Sequence, residues 1–221
     1  MSSIIQPKEP KHTFAKMIPP LLIGTLGVFG VAALYVIQPK LRPIEFVPLV
    51  VIVCAAAVGY TRGIVRGILT IIILYIATVV AALLYQSAAP YTNAMLEIFS
   101  FNLEASVEVA APGGVRAFTF AWITVVCWLV LEVIGKATFQ APNLPKIGIL
   151  DNLGGVMVYL VVGILLASLL FHVAGYGDSR PHHNVAYLRQ PFGMVVKALY
   201  TSQAFWFKSP PPIYTYDWNA S

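Results

Sequence analysis

FVPLVVIVCAAAVGYTRGIVRGILTIIILYIATVVAALLYQS, residues 46–87, carries only two charges, Arg62 and Arg66, and both fall near its middle. The apolar stretch before them, 46–61, is about 24 Å long as a helix at 1.5 Å per residue, and Arg62 lengthens it by reaching toward the headgroups. The stretch after them, 67–87, is long enough to cross a bilayer core of about 30 Å. Apolar residues in unbroken blocks, rather than in stripes, are the pattern of membrane-crossing helices. Residues 46–87 therefore read as two crossings joined by a tight hairpin at Arg62 and Gly63.

The rest of the chain agrees with this reading. Hydrophobic residues make up 58% and charged residues 10%, with mean hydropathy +0.78, against about a quarter charged in soluble domains. Upstream, a polar segment 1–16 precedes an uncharged block with Pro19 and Pro20 at its start, read as a retained first helix over 18–37 and not as a cleavable signal. Downstream, crossings are expected over 117–135 and 155–174. The result is an all-α integral membrane protein, a bundle of about five transmembrane helices within a membrane domain of residues 17–174.

Two interfacial amphipathic helices complete the expected fold. Pro90 marks the exit of the third crossing, and beyond it Leu96, Phe99, Leu103 and Val107 recur at helical spacing with Glu97, Glu104 and Glu108 on the wet face. The aromatic and proline-rich tail, 175–221, holds the second, with Phe192, Val195, Val196 and Leu199 in phase, followed by Phe205, Trp206 and Phe207 and then by Pro210, Pro211 and Pro212. These last residues are expected to bury little against their own chain, which makes the tail a docking surface for another membrane subunit, as is the first helix.

The net charge of +5 does not indicate nucleic acid, because Lys and Arg sit singly at the ends of apolar runs, where they contact lipid headgroups and set orientation. Seven of them collect on the side of the N-terminus and five on the other, which places the N-terminus in the cytoplasm and the tail outside.

Several side chains invite a sharper reading. The small residues Ala55, Gly59, Gly63 and Gly67 repeat every four positions and make one smooth face for close backbone packing. Arg62 and Arg66 share a membrane face with Asp151, so an ion pair closing the bundle is one reading there, and charges that each mark a helix end in water are the other. Glu132, an acid inside an apolar stretch, has Lys136 four residues later in the favourable order for a helical pair. His182 and His183 are adjacent and diverge, which makes them poor ligands for one metal; His172 reads as an ordinary interfacial histidine. Cys54 and Cys127 read as small apolar residues. There is no GxSxG, HExxH, Walker A or GxGxxG sequence, so no enzyme, cofactor or metal is expected.

The Arg-Gly turn at Arg62 and Gly63, followed by Asp151, Gly154 and Gly155 at the start of the last crossing, resembles the colicin V production protein (CvpA) family over about residues 47–173. The segment 130–135 is similar to that family's third helix. The resemblance implies a small, non-enzymatic protein of the bacterial inner membrane linked to colicin V production and export and to envelope maintenance, acting through contacts with lipids and other membrane components. The chain departs from the family in its added first helix, in Asn152, where a basic residue often follows the acid, and in its tail. Two other functions are compatible with the sequence. One is an accessory subunit of a multisubunit energy-transducing or pigment complex, docked through the first helix and tail. The other is a small transporter or channel, which needs more polar residues converging at the midplane than this chain offers.

Overall fold

The computed structural model describes residues 12–38, 41, 43–100, 113–138, 149–176, 186–207 and 210–214, with the backbone alone for 12–17, 43, 97, 99, 100 and 149. Among the described residues every regular element is helical: α1 (His12–Ile37), α2 (Pro43–Ser100), α3 (Gly114–Thr138), α4 (Ile149–Ala174), α5 (Arg189–Gln203) and a 3₁₀ turn (Pro212–Tyr214). Four of them, α1 to α4, are long and apolar enough to cross a membrane. The chain is an all-α membrane protein.

Helix α2 is two rods. Gly63, with φ 78° and ψ 175°, breaks the helical path in a region open only to glycine at little steric cost. The arms on either side both lie along α4 and fold back on each other. On one arm Ile44, Val51 and Ile52 pack against the cluster containing Phe171; on the other, Ala81, Ala82 and Tyr85 share a cluster with Leu169. Positions 169 and 171 are about 3 Å apart along a helix, so residues 44–52 and 81–85 stand at the same level. The hairpin expected between 46–61 and 67–87 is present, and the single residue Gly63 makes its turn.

Helix boundaries differ from the sequence expectation in a consistent direction. Helix α1 begins at His12, before Pro19 and Pro20, and α2 continues through Pro90 to Ser100. A proline inside a membrane helix removes one amide donor without offering the chain a better alternative, so the helix continues past it. The second arm is therefore about 55 Å long, well beyond a hydrocarbon core of about 30 Å. It projects from the face opposite Gly63. Residues 96–100, expected in a separate interfacial helix, belong to this projection; the remainder of that expected helix, with Glu104 and Glu108, lies outside the described residues.

Small residues position α4. Lipid tails are as apolar as leucine, so no hydrophobic force drives membrane helices together and close backbone approach takes its place. A Cβ on Gly155 would collide with the Gly59 carbonyl oxygen and come within 2.8 Å of Gly63 Cα. Gly163 lies against Ala55 and the Ile52 backbone, and Gly67 against Val158 and Tyr159. All four members of the small-residue stripe thus meet α4.

The tail covers the far side of the same helix. Phe192, Val196 and Leu199 of α5 are buried, and Ile213 is 1% exposed within the cluster of Ala117, Phe120 and Tyr176. The Tyr214 ring meets Phe120 edge-on at 5.6 Å and lies beside Tyr200 and Phe207. The expectation that the prolines and aromatics after the amphipathic stretch bury little against their own chain is corrected for 210–214. Phe192, Tyr200, Phe207 and Tyr214 pack here because α5 lays its apolar face over α4 and the second arm, while Phe205 and Trp206 stay exposed. Tyr216 and Trp218 lie outside the described residues.

Candidate functional site: the polar lock behind Gly63

Breaking α2 at Gly63 frees backbone groups, and α4 answers one of them. The amide of Ile64 donates to Asp151 Oδ1 at 2.9 Å. A buried amide left without a partner costs about 1–3 kcal/mol, so the acid in the first turn of α4 holds the hairpin turn in place. Its carboxylate lies directly against Gly63, where any Cβ would strike it. Gly154, beside it, packs on the Ile64 side chain.

Immediately below lies a chain of polar contacts joining four segments. Arg62 Nη1 donates to Glu132 Oε1 at 2.7 Å and to the Tyr159 hydroxyl at 3.1 Å. Thr70 Oγ1 donates its single hydrogen to the Arg66 carbonyl at 2.9 Å. The 3.0 Å contact between Tyr159 and Thr70 is therefore a bond that the phenol donates. The guanidinium also sits 5.8 Å from the centre of the Tyr159 ring, a favourable cation–π distance. First arm, second arm, α3 and α4 are tied through Arg62, Thr70, Glu132 and Tyr159.

Two expected pairings are corrected by this arrangement. Glu132 is 8% exposed and turns to Arg62, 70 positions away, while Lys136 is exposed. Asp151 receives a backbone amide and not a guanidinium. For Glu132 a partner on a neighbouring helix replaces the locally spaced one, because the interior between helices has no water to satisfy the charge; for Asp151 a backbone amide of the hairpin takes the place of its arginines. Tyr159 and Thr70 were missed. A tyrosine two turns beyond Asp151 on the same helix was their available signal.

A second polar group fastens the tail at the opposite end. Glu45 is fully buried, and its Oε1 accepts the Leu188 amide at 2.7 Å, placing a negative charge at the start of α5, where the helix dipole favours it. Gln203 donates to Thr78 Oγ1 at 2.7 Å and accepts the Tyr214 hydroxyl at 2.9 Å. Tyr85 and Tyr176 donate to the carbonyls of Pro210 and Pro212 at 3.2 and 2.5 Å. Burial pushes the Tyr214 phenol above its ordinary pKa. Glu45, Thr78 and Gln203 were not singled out from sequence, since each acts through a partner more than ten positions away.

His172 is buried, not interfacial, with Nδ1 at 2.7 Å from the Ser168 carbonyl oxygen. His182, His183 and the side chain of Glu97 lie outside the described residues. Among the described residues no three His, Cys, Asp or Glu side chains converge as metal ligands do.

A family model described as colicin V production protein matches residues 44–190. No curated protein and no solved structure matches the chain.

Proposed function

The chain belongs to the colicin V production protein family, and on that premise we propose that it is a non-enzymatic, multi-pass protein of the bacterial inner membrane that acts through contacts with other membrane components. The observation that carries this reading is the state of α1. It lies antiparallel to the first arm of α2, with Gly24 near Ala57, Gly27 against Val53 and Tyr35 edge-on to Phe46. Its outer face, with Leu22, Leu26 and Phe29, is bare. The polar groups described above support the non-enzymatic part, since each is engaged in tying this chain's own segments together.

Orientation follows as part of the proposal. The N-terminus of α1 stands at the same end as Arg62, Arg66 and Lys136, and an excess of Lys and Arg favours the cytoplasmic side. The Gly63 end then faces the cytoplasm, and α5 with the tail faces out.

Photo-crosslinking in intact cells tests the contact reading. A photoreactive residue at Phe29 is expected to give discrete protein adducts, and one at the buried Ala77 none. Adducts to lipid alone from every position along the outer face of α1 overturn it. The bare face of α1 also favours the accessory-subunit reading, which requires every copy to copurify in one complex of fixed composition in mild detergent.

A further inference from the structure

At the Gly63 end, the second arm and α3 leave a small recess between them, and two cations stand beside it. Arg66 and Lys136 both line it, together with Thr70, Glu132 and Gly135. Glu132 is already paired with Arg62 at 2.7 Å, so it does not neutralise them. Among the described residues, neither Arg66 nor Lys136 has a carboxylate partner. Of the charged residues that line the recess, Arg66 and Lys136 stand with one carboxylate, Glu132, whose charge Arg62 already balances.

The recess is built to stay open. Gly135 brings no side chain into it, and a Cβ there would already be in contact with Ile73 at 3.4 Å. Leu69 and Ile73 form the apolar wall. Its enclosed space of about 10 Å³ holds no more than one water, so a ligand would rest at the mouth between the two cationic tips.

We infer that Arg66 and Lys136 form a seat for the phosphate of an anionic phospholipid, with the acyl chains lying outward past the partly exposed Leu69. The charge selects an anion, and the position at the end of two membrane helices supplies one from the bilayer. Basic clefts between transmembrane helices recognise anionic headgroups in this way. A free phosphate ion has the same charge chemistry but makes no use of the apolar wall, which is why the lipid is the occupant. The seat is independent of whether α1 carries protein partners.

The test uses the full chain in a neutral detergent, titrated with dioctanoyl phosphatidylglycerol and, separately, with dioctanoyl phosphatidylcholine and inorganic phosphate, reading the melting temperature. Phosphatidylglycerol is expected to raise it, and the two controls to leave it unchanged. At about 1 kcal/mol per basic residue, the double variant Arg66→Gln with Lys136→Gln binds phosphatidylglycerol about 25-fold more weakly. Arg116→Gln with Lys197→Gln, exposed cations elsewhere on the molecule, retains the wild-type response. Should the first double variant not fold, the exposed Lys136→Gln alone carries the prediction at about fivefold. An equal response from both double variants overturns the seat in favour of general charge attraction. A rise in melting temperature with inorganic phosphate as large as that with lipid overturns the lipid as occupant.

Discussion

Helices α1 and α4 are each 26 residues long and close in hydropathy, 2.1 and 2.5 over their apolar stretches, yet 6% of the first stretch and 44% of the second are buried. Hydropathy decides whether a segment enters the bilayer, and it says little about where the segment goes once inside. What separates the two helices is small and polar residues in register with neighbours. Helix α4 carries Asp151, Gly155, Tyr159 and Gly163, each of which meets a matching group on α2. Helix α1 has glycines as well, but Gly30 faces open space. Glycine content alone does not make an interface.

The largest effect should come from reversing that contrast. Gly155→Leu drives a side chain into the Gly59 carbonyl and the Gly63 backbone, neither of which can yield. It is expected to cost about 4 kcal/mol or more, beyond the usual range for overpacking, whereas Gly30→Leu should change stability by less than about 0.5 kcal/mol. Unfolding in graded SDS measures both, and equal losses at the two positions would erase the distinction between α1 and α4.

A smaller effect tests the polar part. In a double-mutant cycle of Arg62→Gln and Glu132→Gln, a coupling of about 1–2 kcal/mol is expected for contacting, partly exposed partners. The Lys136→Gln and Glu132→Gln cycle should give a coupling near zero. Coupling in the second cycle and none in the first would restore the local Glu132–Lys136 pair.

Which features were legible follows from how far apart the interacting residues lie. The crossings were visible because each is a local run, and the stripe of Ala55, Gly59, Gly63 and Gly67 because its period belongs to one helix. The Arg62–Glu132 pair was hidden, since Lys136 satisfies the same charge rule at four residues' distance and only tertiary structure chooses between them. Glu45 is an isolated acid beside Pro43, with nothing nearby to mark its bond to Leu188. Pro90 misled because prolines end helices in water, where the freed carbonyl finds a new partner, and stop them far less in a bundle.

The smallest effect concerns the cover that the tail lays over α4 and that α1 lacks. Tyr214→Phe removes the bond to Gln203 and should cost about 1 kcal/mol. Burial raises the Tyr214 pKa in the folded chain, so the neutral phenol stabilises docking. That contribution is complete below the ordinary tyrosine value of about 10 and is lost as pH rises beyond it. Tyrosinate absorbance at 295 nm should therefore include a late-titrating component that Tyr214→Phe removes, and an unchanged titration curve would separate Tyr214 from the docked tail.

The reversal at Gly63 underlies every contact α4 makes with the two arms. Spin labels at Val47→Cys and Leu84→Cys, both exposed positions, with Cys54 and Cys127 replaced by alanine, allow the span to be measured by pulsed double electron–electron resonance. A hairpin brings the labels within about 25 Å, since packed helices lie 8–10 Å apart, whereas an unbroken rod holds them about 55 Å apart at 1.5 Å per residue. The short distance is the predicted result, and a population centred near the long one would contradict the fold on which the polar lock depends.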